Sequence, residues 1–161
     1  MRERTPVMPE KHELRLEMRE MRRELADRTQ LSERLWEHLS AMSELVRARK
    51  ILLFTTIPGE PEVASFRAWC EAEGKETAVP EDDVDPSWPD VVIVPGLAFT
   101  SGGQRLGQGG GWYDNFLSNT RPSCTTIGVG FGQQLLGSIP TESHDVTLDH
   151  IVTDLGVVSA R

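Results

Sequence analysis

Five short apolar runs constrain the fold of this chain more than any other feature. Each is four to seven residues long, is rich in Val, Ile, Leu or Thr, and lies close to turn-forming residues. They are ILLFTT (51–56), ETAV (76–79), VVIV (91–94), TTIGVGF (125–131) and HIVT (150–153). Runs of this kind predict strands, and their alternation with helical patterns is typical of a parallel sheet. We therefore expect an α/β fold: one three-layer domain with a mostly parallel central sheet flanked by helices.

Hydrophobic periodicity predicts the helices between these strands. The first helix is expected from Glu10 to about Asp27, where apolar residues recur at spacings of four, three and four. Those residues are Leu14, Met18, Met21 and Leu25. A second helix is expected to begin after an N-cap at Ser32. A third is expected over 61–74, with Pro61 in its first turn and a glycine at its end.

Charge and hydropathy exclude several classes of partner. The net charge of −8 argues against a nucleic-acid-binding protein. No apolar run is long enough to cross a membrane and no signal-peptide core is visible, so we expect a cytoplasmic protein without membrane partners. The two cysteines are expected to be reduced thiols.

We expect a flexible N-terminal arm over residues 1–9, one domain over residues 10–161, and a monomer or weak homodimer.

Basic residues are distributed unevenly along the chain. Only five of the 17 lie after residue 50, where they face 15 acidic residues. An anionic ligand bound by this part of the chain must therefore rely on backbone N–H groups, on Arg105, on a metal, or on cations supplied by the N-terminal segment.

A glycine-rich loop follows the strand VVIV and precedes a helix expected over 112–119. Six glycines lie between Gly102 and Gly111, and bare backbone of this kind lets an anion approach N–H groups closely. A G-x-G-x-x-G fingerprint fails because Trp112 stands where glycine is needed, and a Walker motif fails because Gln108 follows Gly107. The glycines alone leave two interpretations open, an anion site and a flexible surface loop.

The surroundings of this loop are more specific than its glycines. The segment PGLAFTSGGQRLGQGGGWYDNFL (95–117) resembles the signature of 5-formyltetrahydrofolate cyclo-ligases, also called methenyltetrahydrofolate synthetases. Three further motifs follow the family's order. They are KHELR (11–15), Glu62-Val63, and the C-terminal IPTESHD (139–145) with Leu148-Asp149 and IVT (151–153).

The resemblance implies an ATP- and Mg²⁺-dependent enzyme that acts on a reduced folate. Family members convert 5-formyltetrahydrofolate to 5,10-methenyltetrahydrofolate and release ADP and phosphate. Phosphoryl transfer of this kind needs positioning and charge neutralisation more than a covalent side chain.

The resemblance also implies roles for individual residues. The ATP-binding set is Lys11, Arg15, Arg105, Gly107, Gly109, Gly110, Gly111, Trp112, Tyr113 and Asp114. The folate-binding set is Phe54, Glu62, Trp112 and Tyr113, the catalytic set is Glu62, Arg105 and Tyr113, and the Mg²⁺ ligands are Asp114 and Asp145. Without the resemblance, the charged residues are equally typical of solvated helix faces, loops or helix N-termini, and the aromatic residues of core packing.

Three departures from the family pattern keep a second function open. The connection EDDVDPSW (81–88) is shorter than in family members, Asn115 replaces an arginine, and Trp112 replaces a tyrosine. All three changes lie toward the folate side. The alternative is therefore an ATP-binding paralogue with a different substrate or with no catalytic activity. His144 is interpreted as a structural residue or a loop contact.

Overall fold

A computed structural model describes residues 7–160 of the chain. Its helices are α1 (Val7–Glu24), α2 (Arg28–Ser40), α3 (Ser43–Arg47), α4 (Ala64–Ala72) and α5 (Trp112–Leu117). Its strands are β1 (Lys50–Leu52), β2 (Glu76–Ala78), β3 (Val91–Val94), β4 (Ala98–Thr100), β5 (Arg105–Leu106), β6 (Thr125–Val129), β7 (Leu135–Leu136), β8 (His150–Thr153) and β9 (Gly156–Ser159).

The main sheet confirms the predicted fold class. Within residues 7–160 it has six strands in the order β2-β1-β3-β6-β8-β9, and the first five run parallel. The edge strand β9 pairs antiparallel with β8 through a tight turn, at which Gly156 has a φ of +139°. The five parallel strands correspond to the five apolar runs, so the alternation in the sequence identified the core of the sheet correctly.

Both faces of the sheet are covered, which explains why its strands are apolar at successive positions. Residues such as Ile51 and Ile93 point to one face and pack against α2, α3 and α4. Their neighbours Leu52 and Val92 point to the other face and pack against α5 and β4. The alternation of side chains along each strand therefore produces the three layers.

A second, smaller sheet was not predicted. Strands β4 and β5 form an antiparallel hairpin, and β7 pairs parallel with β4. Helix α1 packs on this sheet through Met18, which lies in one apolar cluster with Leu97, Leu106 and Ile139. The hairpin divides the glycine-rich segment: Gly103 lies in its turn, whereas the glycines from 107 to 111 follow it and lead into α5.

Some predicted helix boundaries were wrong. Helix α2 begins at Arg28, after Asp27 with a φ of +60°, so Ser32 lies inside the helix and is not its N-cap. The Ser32 hydroxyl donates to the Arg28 carbonyl and accepts a hydrogen bond from the Glu62 backbone N–H. Helix α4 begins at Ala64, so Pro61 precedes the helix. Tertiary hydrogen bonds thus outweigh the local capping preference at Ser32.

The N-terminal arm predicted over residues 1–9 falls mostly outside the described part of the chain. Residues 1–6 lie outside it, and α1 already begins at Val7. No helix within residues 7–160 is long and apolar enough to cross a membrane.

Candidate functional site

A cleft of about 610 Å³ opens beside the carboxyl ends of the central strands. Its walls come from α1, from the loop between β1 and α4, from the glycine loop 107–111 with the start of α5, and from the loop 142–145. In open α/β sheets ligands bind at this edge, and the volume suits a small-molecule ligand. Apart from Glu62, every residue in the predicted site sets lines this cleft.

Helix α1 holds the glycine loop from outside. Arg15 Nε donates to the Gly107 carbonyl at 2.9 Å, and Arg19 Nη2 donates to the Gln108 side-chain oxygen at 2.9 Å. These contacts bring N-terminal cations to the cation-poor half of the chain, which is one of the four sources of positive charge that the charge distribution left open. Neither Gln108 nor Arg19 was among the predicted site residues.

The glycine loop presents bare backbone to the cleft. Gly109 and Gly111 have φ values of +113° and +73°, a region that favours glycine. A Cβ on Gly110 would meet no atom within 4 Å, so this residue borders open space. Among the described residues, none accepts a hydrogen bond from the N–H groups of Gly109, Gly110 or Gly111. Exposed N–H groups in a glycine turn are typical of an anion site.

Arg105 is a fixed cation in the cleft wall. Its side chain is 7% exposed, and its Nη1 donates to the Pro95 carbonyl at 3.0 Å. Its Nη2 lies 4.0 Å from an Asp114 oxygen, and its guanidinium carbon lies 5.2 Å from the centre of the Tyr113 ring. Burial lowers the pKa of Arg105, and the negative charge of Asp114 opposes that shift. The arginine is therefore held in place before any ligand arrives.

Lys11 lies in the cleft wall but is bound to two carboxylates. Its Nζ is 2.8 Å from Asp145 Oδ2 and 2.9 Å from Glu142 Oε1. Burial lowers the pKa of Lys11, but the hydrogen bonds to these carboxylates outweigh burial and leave the pKa above its usual value. The pair ties α1 to the loop that closes the cleft. Glu142 was not among the predicted site residues.

Asp114 and Asp145, the predicted Mg²⁺ ligands, are both partly engaged. Asp114 Oδ1 accepts a hydrogen bond from the Val146 N–H at 3.1 Å. Asp145 Oδ2 accepts from Lys11 and from the Glu142 N–H. Burial raises the pKa of Asp145, but those hydrogen bonds outweigh it and the pKa lies below its usual value. The second oxygen of each carboxylate lies near a basic side chain: Asp114 Oδ2 is 4.0 Å from Arg105 Nη2, and Asp145 Oδ1 is 3.5 Å from His144 Nε2.

The described residues contain no cluster of three or more His, Cys, Asp or Glu side chains that could hold a metal alone. Mg²⁺ usually keeps several waters and binds through one or two carboxylates together with substrate phosphates. Asp114 and Asp145 fit that manner of binding, and they do not fit a metal held by protein ligands only.

Aromatic side chains form an apolar part of the cleft. Trp112 is 42% exposed, its ring meets the Tyr113 ring edge-on at 4.8 Å, and it stacks on Phe116 at 4.9 Å. Burial raises the pKa of the Tyr113 hydroxyl, so it stays protonated. Phe54 is buried at the end of β1 and contributes to the same cleft. A flat heterocycle could pack against Trp112.

Glu62 does not line the cleft; Glu60, two residues earlier, does. Glu62 Oε2 accepts a hydrogen bond from the Thr29 hydroxyl at 2.7 Å, and the Glu62 backbone is bound by Ser32 and Trp36 of α2. Glu62 therefore faces α2.

Glu60 is a buried carboxylate at the cleft wall. It is 5% exposed, and its Oε1 accepts a hydrogen bond from the Ile57 N–H at 3.1 Å. Burial raises the pKa of Glu60, and the nearby charges of Arg22 and Arg105 oppose that shift only in part. The Pro58-Gly59 pair, which is typical of a turn, is the sequence feature that could have drawn attention to Glu60, and in the structure Gly59 has a φ of +94°.

The chain is similar in sequence to known proteins. Residues 80–154 match the model of the 5-formyltetrahydrofolate cyclo-ligase family. The chain is 36% identical over 132 residues to the mitochondrial 5-formyltetrahydrofolate cyclo-ligase of Arabidopsis thaliana, which covers 75% of this chain and 42% of that protein. It is 41% identical over 73 residues to the 5-formyltetrahydrofolate cyclo-ligase of Mycolicibacterium smegmatis, which covers 45% of this chain and 38% of that protein.

Solved structures agree with the sequence matches. The 5,10-methenyltetrahydrofolate synthetase of Aquifex aeolicus has a TM-score of 0.84 at 26% identity, covering 94% of this chain and 93% of that one. A synthetase of the same name from Mycoplasma pneumoniae has a TM-score of 0.79 at 23% identity, covering 89% and 98%, and supports the fold.

The fold and the cleft define an α/β protein whose parallel sheet carries a ligand cleft and a glycine loop at its carboxyl edge. The sequence matches and the Aquifex structure are more specific than this class. Over residues 80–154 the chain is similar to the 5-formyltetrahydrofolate cyclo-ligase family, and its fold is similar to that of the Aquifex synthetase. It spans less than half the length of the two curated relatives described above.

Proposed function

We propose that the chain converts 5-formyltetrahydrofolate to 5,10-methenyltetrahydrofolate, using ATP and Mg²⁺ and releasing ADP and phosphate. The observation that carries the proposal is the composition of the cleft. The cleft wall combines free N–H groups and cations with a buried carboxylate and aromatic rings. Such a lining suits an anionic triphosphate together with a flat heterocycle.

The phosphates of ATP are proposed to lie against Gly109, Gly110 and Gly111. Their N–H groups are free among the described residues, and the guanidinium groups of Arg15 and Arg105 lie in the same wall. Because Arg105 is already fixed by Pro95 and Asp114, it would neutralise phosphate charge without reorganising. Lys11 is proposed to act mainly by closing the wall around the nucleotide, since two carboxylates occupy its ammonium group.

Magnesium would bind through Asp114 Oδ2 and Asp145 Oδ1, in place of their contacts with Arg105 and His144, and through phosphate oxygens. Bound there, it would neutralise the phosphate charge that develops during transfer. The hydrogen bonds from Val146 to Asp114 and from Lys11 to Asp145 would limit the movement of the two carboxylates.

The folate is proposed to pack against Trp112 and Tyr113, with its formyl group directed toward Glu60. Transfer of the γ-phosphoryl group to the formyl oxygen activates the formyl carbon. N10 then attacks that carbon, the new carbon–nitrogen bond forms, phosphate leaves, and N10 loses its proton. Glu60 is suited to accept this proton because burial brings its pKa closer to neutral pH.

The test is the absorbance increase of methenyltetrahydrofolate with ATP, Mg²⁺ and 5-formyltetrahydrofolate. We expect turnover in the wild type and a loss of at least about a hundredfold in Glu60→Gln, which keeps the shape of the side chain but cannot accept a proton. Glu62→Gln is the matched control, since Glu62 faces α2. A larger loss in Glu62→Gln than in Glu60→Gln would reverse this assignment and support the role first expected for Glu62.

Nucleotide binding is tested separately by calorimetry. Arg105→Ala should weaken ATP binding by about ten- to a hundredfold, the effect of losing one charge-assisted contact. Arg23→Ala removes an exposed arginine of α1 and should leave the affinity unchanged. Asp114→Asn should raise the Mg²⁺ concentration needed for activity, and an identical Mg²⁺ dependence would argue against the metal role.

The alternative function is an ATP-binding paralogue with a different substrate or no catalytic activity. The short connection between β2 and β3 favours it, because residues 79–90 contain four Asp or Glu residues before Asp90 and no basic residue. A folate has an anionic glutamate tail, which gains nothing from such a rim. ATP binding without methenyltetrahydrofolate formation would select this alternative.

Cytoplasmic location, a monomer or weak homodimer, and the lack of nucleic-acid and membrane partners remain predictions.

A further inference from the structure

Arg22 on α1 is a buried arginine that the proposed reaction does not use. It is 5% exposed, and its Nε and Nη1 have no hydrogen-bond partner among the described residues. No nitrogen of Arg22 lies within 4.0 Å of a carboxylate oxygen in that part of the chain. A buried guanidinium usually forms several hydrogen bonds, so the burial of Arg22 without them needs an explanation.

The position of Arg22 in the fold offers an explanation. The side chain of Arg22 lies directly beneath the turn that ends at Glu60: a Cβ placed on Gly59 would be 2.9 Å from Arg22 Nε and 3.2 Å from Arg22 Cζ. The turn is closed by hydrogen bonds between Ile57 and Glu60 in both directions, from the Glu60 N–H to the Ile57 carbonyl and from the Ile57 N–H to the Glu60 carboxylate. The guanidinium and the carboxylate thus flank one rigid turn.

The charges around this turn are unbalanced. Glu60 is faced by Arg22 from α1, by Arg105 from β5 and by the Tyr113 hydroxyl from α5. Arg22 is faced by Glu60 and is repelled by two other arginines, Arg19 and Arg28. Since Arg105 is already paired with Asp114, Arg22 is the cation whose main opposite charge is Glu60.

We propose that Arg22 is a positioning residue that acts through space on Glu60, keeping this cleft carboxylate ionised so that it can accept a proton. The catalytic consequence of this inference rests on the proposed function, whereas the effect of Arg22 on the charge of Glu60 does not. Burial favours the protonated acid, which cannot act as a base, and a desolvated positive charge opposes that effect without occupying either carboxylate oxygen. The missing hydrogen bonds are then informative, because an arginine bound directly to Glu60 would block the oxygens that face the substrate.

The direct test is the pKa of Glu60, measured by ¹³C NMR of side-chain carboxyl groups in the full chain. Glu60→Gln assigns the signal. We expect Arg22→Met to raise the pKa of Glu60 by about 1, the lower end of the effect of an opposite charge, since the groups are more than 4.0 Å apart. Arg22→Lys, which restores a charge, should return the pKa most of the way to that of the wild type.

Arg28→Met is the matched control. Arg28 also has a buried nitrogen without a described partner, and its Nη2 donates to the Arg22 carbonyl, but it does not face Glu60. It should leave the pKa of Glu60 unchanged. An unchanged pKa in Arg22→Met, or an equal rise in Arg22→Lys, would overturn the proposal.

Kinetics connect this effect to the proposed reaction. In Arg22→Met the acid limb of the pH profile of kcat/KM should move upward by the same amount as the pKa of Glu60, and activity at high pH should recover. An activity loss that is uniform across pH would mean that Arg22 has only a structural role. If the wild type shows no turnover, the NMR result still decides whether Arg22 controls Glu60, so failure of the proposed function is distinguishable from failure of this inference.

Discussion

Replacing Lys11 by methionine should destabilise the fold much more than a surface lysine would. The Lys11 side chain is 7% exposed, and its Nζ lies 2.8 Å from Asp145 and 2.9 Å from Glu142. Each charge-assisted hydrogen bond contributes about 1.5–3 kcal/mol, and the value for Glu142 is at the low end because its side chain is 27% exposed. The substitution also leaves Asp145 partly buried without its partner. We expect a loss of about 3 kcal/mol in the free energy of unfolding.

Urea unfolding followed by circular dichroism measures this loss. For a domain of this size, about 3 kcal/mol corresponds to a decrease in Tm of roughly 6–12 °C. Arg23→Met is the control, because Arg23 forms an exposed pair with Glu20 on the same helix and should contribute less than about 0.5 kcal/mol. A loss below about 1 kcal/mol in Lys11→Met, or one equal to that of the control, would refute the reasoning.

The same pair makes a definite pH prediction. The pKa of Asp145 is lowered in the folded state, so its contribution is present above the unfolded pKa and is lost as pH falls through the lower folded value. The pKa of Lys11 is raised, so its contribution is present below the unfolded pKa and is lost as pH rises through the folded value. The difference in stability between wild type and Lys11→Met should therefore be largest at intermediate pH and shrink at both extremes. Asp145→Asn in the Lys11→Met background should recover part of the loss, since it removes the unpaired charge.

Further predictions concern the glycines and the thiols. Gly103→Ala should lower the free energy of unfolding by at least about 2 kcal/mol, because φ is +85° and a Cβ would lie 2.3 Å from the Leu148 carbonyl oxygen. Gly110→Ala should cost less than about 0.5 kcal/mol in urea unfolding and yet weaken ATP binding, since its Cβ would enter open space in the cleft. Burial raises the pKa of Cys70 to about 12 and that of Cys124 to about 11, so alkylation at pH 8, followed by mass spectrometry, should be at least about a hundredfold slower in the native protein than after unfolding. Rapid native alkylation of either thiol would contradict its burial.

The parallel sheet could be predicted because each of its strands is an apolar run covered on both faces. The missed strands are different. Strands β5 and β7 have two residues each, and β5 begins with the charged Arg105. Strand β7 depends on a partner that is distant in sequence, as in the pairing of Phe99 with Leu135, whereas β5 pairs with β4 in a hairpin whose strands are too short to show an alternating pattern. Neither length nor local pattern could identify them.

The glycine loop, the aromatic residues and the arginines of the candidate site were predicted from the resemblance of residues 95–117 and 11–15 to the family motifs, and in the structure these residues line one cleft. Lys11 lines the cleft, and its predicted contact with ATP stays a prediction. Its two carboxylate partners could not be foreseen, since Glu142 and Asp145 lie more than a hundred residues away in the chain. The same residue type at the same position can contact a phosphate or complete an ion pair, and only the tertiary structure distinguishes the two.

The two glutamates of PGEPEV show why motif spacing alone could not settle the carboxylate of the site. Glu60 and Glu62 are two residues apart, and in a regular strand they would share a face. Here the left-handed conformation at Gly59 turns the chain, so Glu60 enters the cleft while Thr29 and Ser32 hold Glu62 against α2. The φ angle of Gly59 and the hydrogen bonds from α2 therefore determine which of the two glutamates lies in the cleft. Hydrogen bonds with Ile57 hold Glu60 in the turn above Arg22, whereas separate hydrogen bonds from α2 hold Glu62 away from the cleft, so two independent sets of contacts assign the two glutamates.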